Sequence, residues 1–146
     1  MKRALALGLA SLVVLGSLFL AGCTSYATQA VQPGLSGKKH VFIQSNQNDN
    51  NALDTQIVTA LKLRGYEAGA GPLTMMPDQT QVVVTYEDHW TWDFGDHLAY
   101  LQISAKDRRT GQLYSSAVFQ AKIPTKKSVA KIIGELVDRL LADVRR

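Results

Sequence analysis

The residues best equipped for chemistry crowd into one segment. Val84 to His97 reads V-T-Y-E-D-H-W-T-W-D-F-G-D-H and holds both tryptophans and two of the three histidines, among Glu87, Asp88, Asp93 and Asp96. Imidazole and carboxylate groups suit zinc and other divalent ions, so His89, His97, Asp93 and Asp96 form a candidate metal set. Their spacing matches no strong metal motif, and there is no His-x-x-x-His pair. Two carboxylates with pKa values pushed apart can share acid–base work, but nothing in the spacing fixes such a pair. Glycine-rich phosphate loops and Gly-x-Ser-x-Gly are absent. A third reading needs no reaction. Large aromatics anchor interfaces, and residues two apart in an extended chain share a face. Tyr86, Trp90, Trp92 and Phe94 would then form a row, with Asp88 and Asp93 beside it, on which protein, peptidoglycan or glycolipid can stack. In a fourth reading the aromatics close the end of the core, and Asp88 and Asp93 bond backbone N–H groups in a turn.

The elements around this segment follow from periodicity. His40–Gln44 is a short β-branched and aromatic run, hence a strand. The polar stretch Ser45 to Asn51 is a loop, with Asn50 or Asn51 placed to cap a helix. That helix carries Leu53, Ile57, Val58 and Leu61 on one face and stops at Gly65, a left-handed C-cap. Residues 69–77 (GAGPLTMMP) read as loop. Gln81 to Tyr86 is a strand whose three consecutive valines suggest burial on both faces. Leu98 to Lys106 alternates, with Ala99, Leu101, Ile103 and Ala105 on one side. A turn at Asp107 to Gly111 leads to a second alternating run, Gln112 to Lys122, so the two form a hairpin. Ser128 caps a last helix with an apolar stripe of Val129, Ile132, Ile133, Leu136, Val137, Leu140, Leu141 and Val144. Its polar face mixes acids and bases, which favours core packing over a lipid surface. The expected fold class is α+β: a mainly antiparallel sheet in the order β-α-β-β-β-α with two helices on one face. Tyr100 and Tyr114 are expected on the wetter face.

Charge and cysteine usage narrow the function classes. The 146 residues carry 16 Lys+Arg against 12 Asp+Glu. The basic pairs Lys38-Lys39, Arg108-Arg109 and Lys126-Lys127 are isolated, so no concentrated basic face points to nucleic acid. A single cysteine excludes an intramolecular disulfide and a multi-cysteine zinc site.

The N-terminus is the most specific signal. Met1-Lys2-Arg3 is basic, Ala4 to Leu20 is uncharged and mostly apolar, and Leu20-Ala21-Gly22-Cys23 supplies small residues and the lone thiol, the layout of a secretory signal peptide. This end resembles the lipobox of bacterial lipoproteins. The resemblance implies cleavage between Gly22 and Cys23 and acylation of Cys23 by palmitate-type chains. Thr24 in place of Asp implies transfer to the outer membrane. One acyl chain holds only reversibly, whereas two or three hold firmly. Loss of Lys2 and Arg3 leaves 14 basic and 12 acidic residues, a net charge of +2. The expected organisation is a signal peptide over 1–22, a lipidated tether over 23–37 and a periplasmic domain over 38–146. As a flexible coil, residues 24–37 would span about 20 Å.

With the segments Val84 to Asp93 and Asp107 to Gly111 and the final helix, the chain resembles small, largely uncharacterised Gram-negative outer-membrane lipoproteins. The anchor, the tether, the aromatic segment and the missing catalytic signature lead to the expectation of a non-enzymatic protein without cofactor, lipid-anchored on the periplasmic face of the outer membrane. Its expected partner is an envelope protein, the cell wall or a glycolipid, with a role as an accessory factor in envelope assembly by fold-level analogy. Two alternatives stay open: a metal-dependent periplasmic hydrolase using His89 and His97, and a pilotin or other secretion-system accessory lipoprotein.

Overall fold

The structure is a computed structural model that describes residues 24–30, 35, 37–92 and 95–142. Six strands, β1 (Thr24–Ala30), β2 (His40–Gln44), β3 (Glu67–Gly71), β4 (Val82–Trp92), β5 (Asp96–Asp107) and β6 (Leu113–Ala121), form one sheet in the order β1-β6-β5-β4-β2-β3. Helices α1 (Leu53–Lys62) and α2 (Val129–Leu141) pack together on one face. The β2 pairings with β3 and β4 are parallel, and all the others are antiparallel. The α+β class and the helix placement match the expectation, with β1 and β3 as additional strands.

Both additions correct the sequence reading. Residues 24–30 do not behave as a flexible tether: they pair along their whole length with β6, from Thr24 opposite Ala121 to Ala30 opposite Ser115. Tyr26 locks the strand down. Its ring lies 5.3 Å from that of Phe119, and Lys127 and Arg139 sit 4.9 and 4.7 Å from its centroid. Lys127 Nζ also donates to the Tyr26 hydroxyl and to Glu135. Residues 69–71 fall in the stretch expected as loop, and Gly and Ala have little strand preference. They form the opposite edge, where parallel pairing with β2 supplies the missing drive.

The core lies between the sheet and the two helices. Val41, Ile43, Val82, Val84, Leu101, Ile103, Ala117 and Phe119 meet Leu53, Ile57 and Leu61 of α1 and Ile132, Ile133, Leu136, Val137 and Leu140 of α2. The α2 stripe is therefore core; Val144 falls outside the described residues. Burial along β4 alternates, and Val83 is only half-buried. The valine run is thus not sealed on both faces, because among the described residues no helix covers the second face of the sheet. Arg64 staples the helices together: Nε donates to Asp138 (2.6 Å), and its other nitrogens donate to the carbonyls of Ala60 and Gly134.

Helix ends show which groups cap the backbone. Ser128 caps α2 as expected, accepting from Lys131 N. Neither Asn50 nor Asn51 caps α1. Ala52 takes that position in a left-handed conformation without a side-chain bond, and Asp49 Oδ2 reaches in to accept from the N–H groups of Leu53 (2.6 Å) and Asp54 (3.3 Å). At the other end, Gly65 at φ 85 allows paired closing bonds, Tyr66 N to Leu61 O and Gly65 N to Lys62 O.

Two β-bulges redirect side chains. Tyr100 faces His89 but Leu98 faces Trp90, which leaves Ala99 unopposed. The parity switches there, so Leu98 joins Leu101 in the core and Ala99, expected beside it, does not. Between Ala105 opposite Ser115 and Lys106 opposite Leu113, Tyr114 is the extra residue. It turns into the core, 7% exposed, instead of standing on the wet face. Its hydroxyl donates to Asp107 Oδ2.

Candidate functional site

The segment richest in reactive side chains forms a projecting two-stranded arm. β2 reaches only Val82–Val84 of β4, and β6 stops pairing with β5 at Tyr100. Beyond that row, Trp90–Trp92 and Asp96–Leu98 pair with each other alone. Alternation along β4 places Tyr86, Asp88, Trp90 and Trp92 on the same face, as expected. Their surroundings grade steadily from core to solvent.

Tyr86 is buried at 6% exposure. Its hydroxyl donates to Asp49 Oδ2 (2.8 Å) and accepts from Asn46 N (3.1 Å). Burial first, then the neighbouring Asp49 carboxylate, hold its pKa above the ordinary tyrosine range. Tyr86 is thus a core residue with a polar handle, and its place in an exposed aromatic row is corrected. Trp90 is half-buried against the core, and its indole N–H donates to Asp88 Oδ2 (2.7 Å). Asp88 serves the strand itself by fixing that ring. Trp92 is 77% exposed at the far end of the arm. Asp93 and Phe94 lie outside the described residues, as do Gly22 and Cys23.

The histidines fall on the other face of the ribbon. His89 is exposed opposite Tyr100, and His97 pairs with Thr91. Among the described residues, no group of three or more His, Cys, Asp or Glu is arranged to hold a metal ion. The helix-free sheet face carries a polar seam instead. Tyr100 donates to Gln102, Gln102 to Ser116 (3.0 Å), and Ser104 and Ser116 lie 3.0 Å apart. No buried side-chain polar atom among the described residues lacks a partner. This seam is satisfied and needs no ligand.

Sequence reasoning missed an open cleft of about 680 Å³ at the C-terminal ends of β2 and β3. Ser45, Asn46, Asn48, Leu73 and Tyr86 line it. The outside of the carboxyl ends of parallel strands is where open sheets favour ligands. The polar run Asn46-Gln47-Asn48-Asp49-Asn50-Asn51 was the available signal, and it reads equally as a solvated loop.

No family model matches the chain, and no curated protein matches it. Solved structures do. A PelC variant dodecamer from Paraburkholderia phytofirmans aligns with a TM-score of 0.61 at 11% identity, over 82% of this chain and 99% of that one. A second crystal form of the PelC dodecamer gives 0.60 at 11%, over 82% and 99%. At such identity the likeness shows a shared fold and nothing finer. A minor lipoprotein from Acinetobacter baumannii aligns at a TM-score of 0.31 and 16% identity, over 71% of this chain and 81% of that one, too distant to bear on function. No helix among the described residues is long and apolar enough to cross a membrane.

Proposed function

We propose that the chain is a non-enzymatic lipoprotein of the cell envelope, held through Cys23 on the periplasmic face of the outer membrane, and that the β4–β5 arm is its contact surface. One observation carries the contact surface. Trp92 is left 77% exposed at the end of a paired two-stranded ribbon, while the Asp88 carboxylate accepts from the indole N–H of the neighbouring Trp90. A large apolar ring kept in water by an ordered strand is a preorganised anchor, and aromatic anchors of this kind dominate binding energy. The membrane anchor is supported by the Leu20-Ala21-Gly22-Cys23 motif. Among the described residues His89 and His97 join no group of three or more metal-binding side chains, and Asp93 of the candidate set lies outside them.

The test is photo-crosslinking in living cells from position 92, with position 63 as control. Leu63 is equally apolar and 80% exposed, but it follows α1, away from the arm. Adducts from position 92 and none from 63 support the reading. Adducts from 63 alone, or from neither, refute it. Mass spectrometry of the N-terminal peptide tests the anchor separately, through the mass of acyl chains on Cys23.

A further inference from the structure

We infer that the arm's partner is the lipid surface that carries the anchor: Trp92 and Ile123 seat in the interface of the leaflet holding the acyl chains of Cys23. The inference rests on the anchored reading above and names the occupant of the same site.

The argument is one of register. Ser25 stands opposite Gln120, and Gln120 stands opposite Tyr100. The start of β1, the end of β6 and the base of the arm therefore share one end of the sheet. Thr24 is already paired with Ala121. Cys23 precedes Thr24 by one peptide unit, at most about 3.8 Å between Cα atoms, so the attachment point cannot stand far from the end of the sheet. Carried across the strands, that level falls near Leu98. Trp92 pairs with Asp96, two residues nearer the start of β5 than Leu98 and so further out on the arm. At the rise of a strand it reaches about 7 Å past the attachment point. Interfacial elements bury their apolar faces about 5–10 Å into the headgroup and acyl boundary, so the lengths agree.

The chemistry at that end fits a lipid surface. Tryptophan favours the membrane–water interface, where its ring is apolar and its N–H stays wet. Ile123, 54% exposed, follows the end of β6 and gives a second apolar point beside the exposed Lys122 and Lys126. Those cations face the phosphates of anionic headgroups. Asp96, exposed across from Trp92, limits entry to the headgroup layer. A protein partner needs only the ring of Trp92. A bilayer also accounts for the exposed lysines and isoleucine that follow β6 at the same end of the sheet as Thr24.

The two tryptophans are the only ones in the chain, so intrinsic emission reports on the arm without labels. The full acylated protein is reconstituted into phosphatidylethanolamine–phosphatidylglycerol vesicles, plain or with bromine near the carbonyl end of the acyl chains. Seating at interface depth predicts loss of about half the emission in brominated vesicles, with a blue shift. A flexible Gly/Ser spacer inserted between Cys23 and Thr24 should restore most of that emission. Equal emission in both vesicles from protein with confirmed acyl chains overturns the inference and leaves the anchored reading standing. Full quenching through the spacer overturns the claim that strand register sets the depth. An unacylated Cys23 in protein from cells removes both.

Discussion

Replacing Asp49 with Ala removes a carboxylate that ties α1, the polar loop and Tyr86 of β4 together. Its Oδ2 accepts from Leu53 N at 2.6 Å, Tyr86 OH at 2.8 Å and Asp54 N at 3.3 Å, and its Oδ1 accepts from Asn51 N at 2.8 Å. Loss of a helix cap costs about 0.5–2 kcal/mol. A part-buried hydrogen bond to a charged group adds about 1.5–3 kcal/mol. These overlap, since one side chain serves both, so Asp49→Ala should destabilise by about 2–4 kcal/mol. Tyr86→Phe deletes only the hydroxyl and should cost about 1–2 kcal/mol, because Asn46 N loses its acceptor as well. The two changes share a bond, so the double variant should fall short of the sum by about 1 kcal/mol. Urea unfolding followed by circular dichroism measures all three against the unchanged protein. Strict additivity would falsify the shared bond, and an Asp49→Ala loss below about 0.5 kcal/mol would refute the capping role.

Other predictions test separate parts of the fold. Asp107 sits low, at about 2, chiefly through the Tyr114 hydroxyl bond, and Tyr114 is pushed up to about 12 by the same contact. The depressed acid stabilises the fold above its unfolded value of 3.8, and that contribution fades as pH falls through about 2. The raised phenol stabilises below 10 and loses its contribution as pH climbs through about 12. Tyr114→Phe should flatten both limbs of a Tm-against-pH curve; unchanged limbs would contradict the pair. Leu136→Ala empties a fully buried α2 position and should cost about 2–5 kcal/mol in urea unfolding. Trp92→Ala should leave stability within about 0.5 kcal/mol, since the ring is exposed; a larger loss would mean that the arm supports the core.

The sequence made some elements legible and hid others for physical reasons. The β5–β6 hairpin announced itself by alternation and by Gly111 at φ 70 in the turn. Helix α2 showed in an unbroken 3.6-residue stripe and in Ser128. The bulge residues Ala99 and Tyr114 were illegible, because an extra residue leaves no mark in composition and reverses the inward side of all that follows. β3 was hidden by its glycines. β1 was hidden because a polar edge strand has the composition of a linker. At the candidate site, the shared face of Tyr86, Trp90 and Trp92 followed from parity alone. Their gradient from core to water did not, because it depends on where β2 and β6 end. Asp49, the acceptor for Tyr86, sits in a loop far away in sequence, and no local pattern joins them.

The pairing of β1 with β6 spans almost the whole domain, since Thr24 meets Ala121. Loop closure on that scale costs entropy that grows with the logarithm of length. β1 is an edge strand paired with β6 alone, so it needs β6 in place to dock and has a single strand neighbour to lose under load. Any mechanical pull transmitted through the N-terminus acts on this strand before all others. Its release would bare the edge of β6 and the Phe119 ring while the rest of the sheet stayed paired.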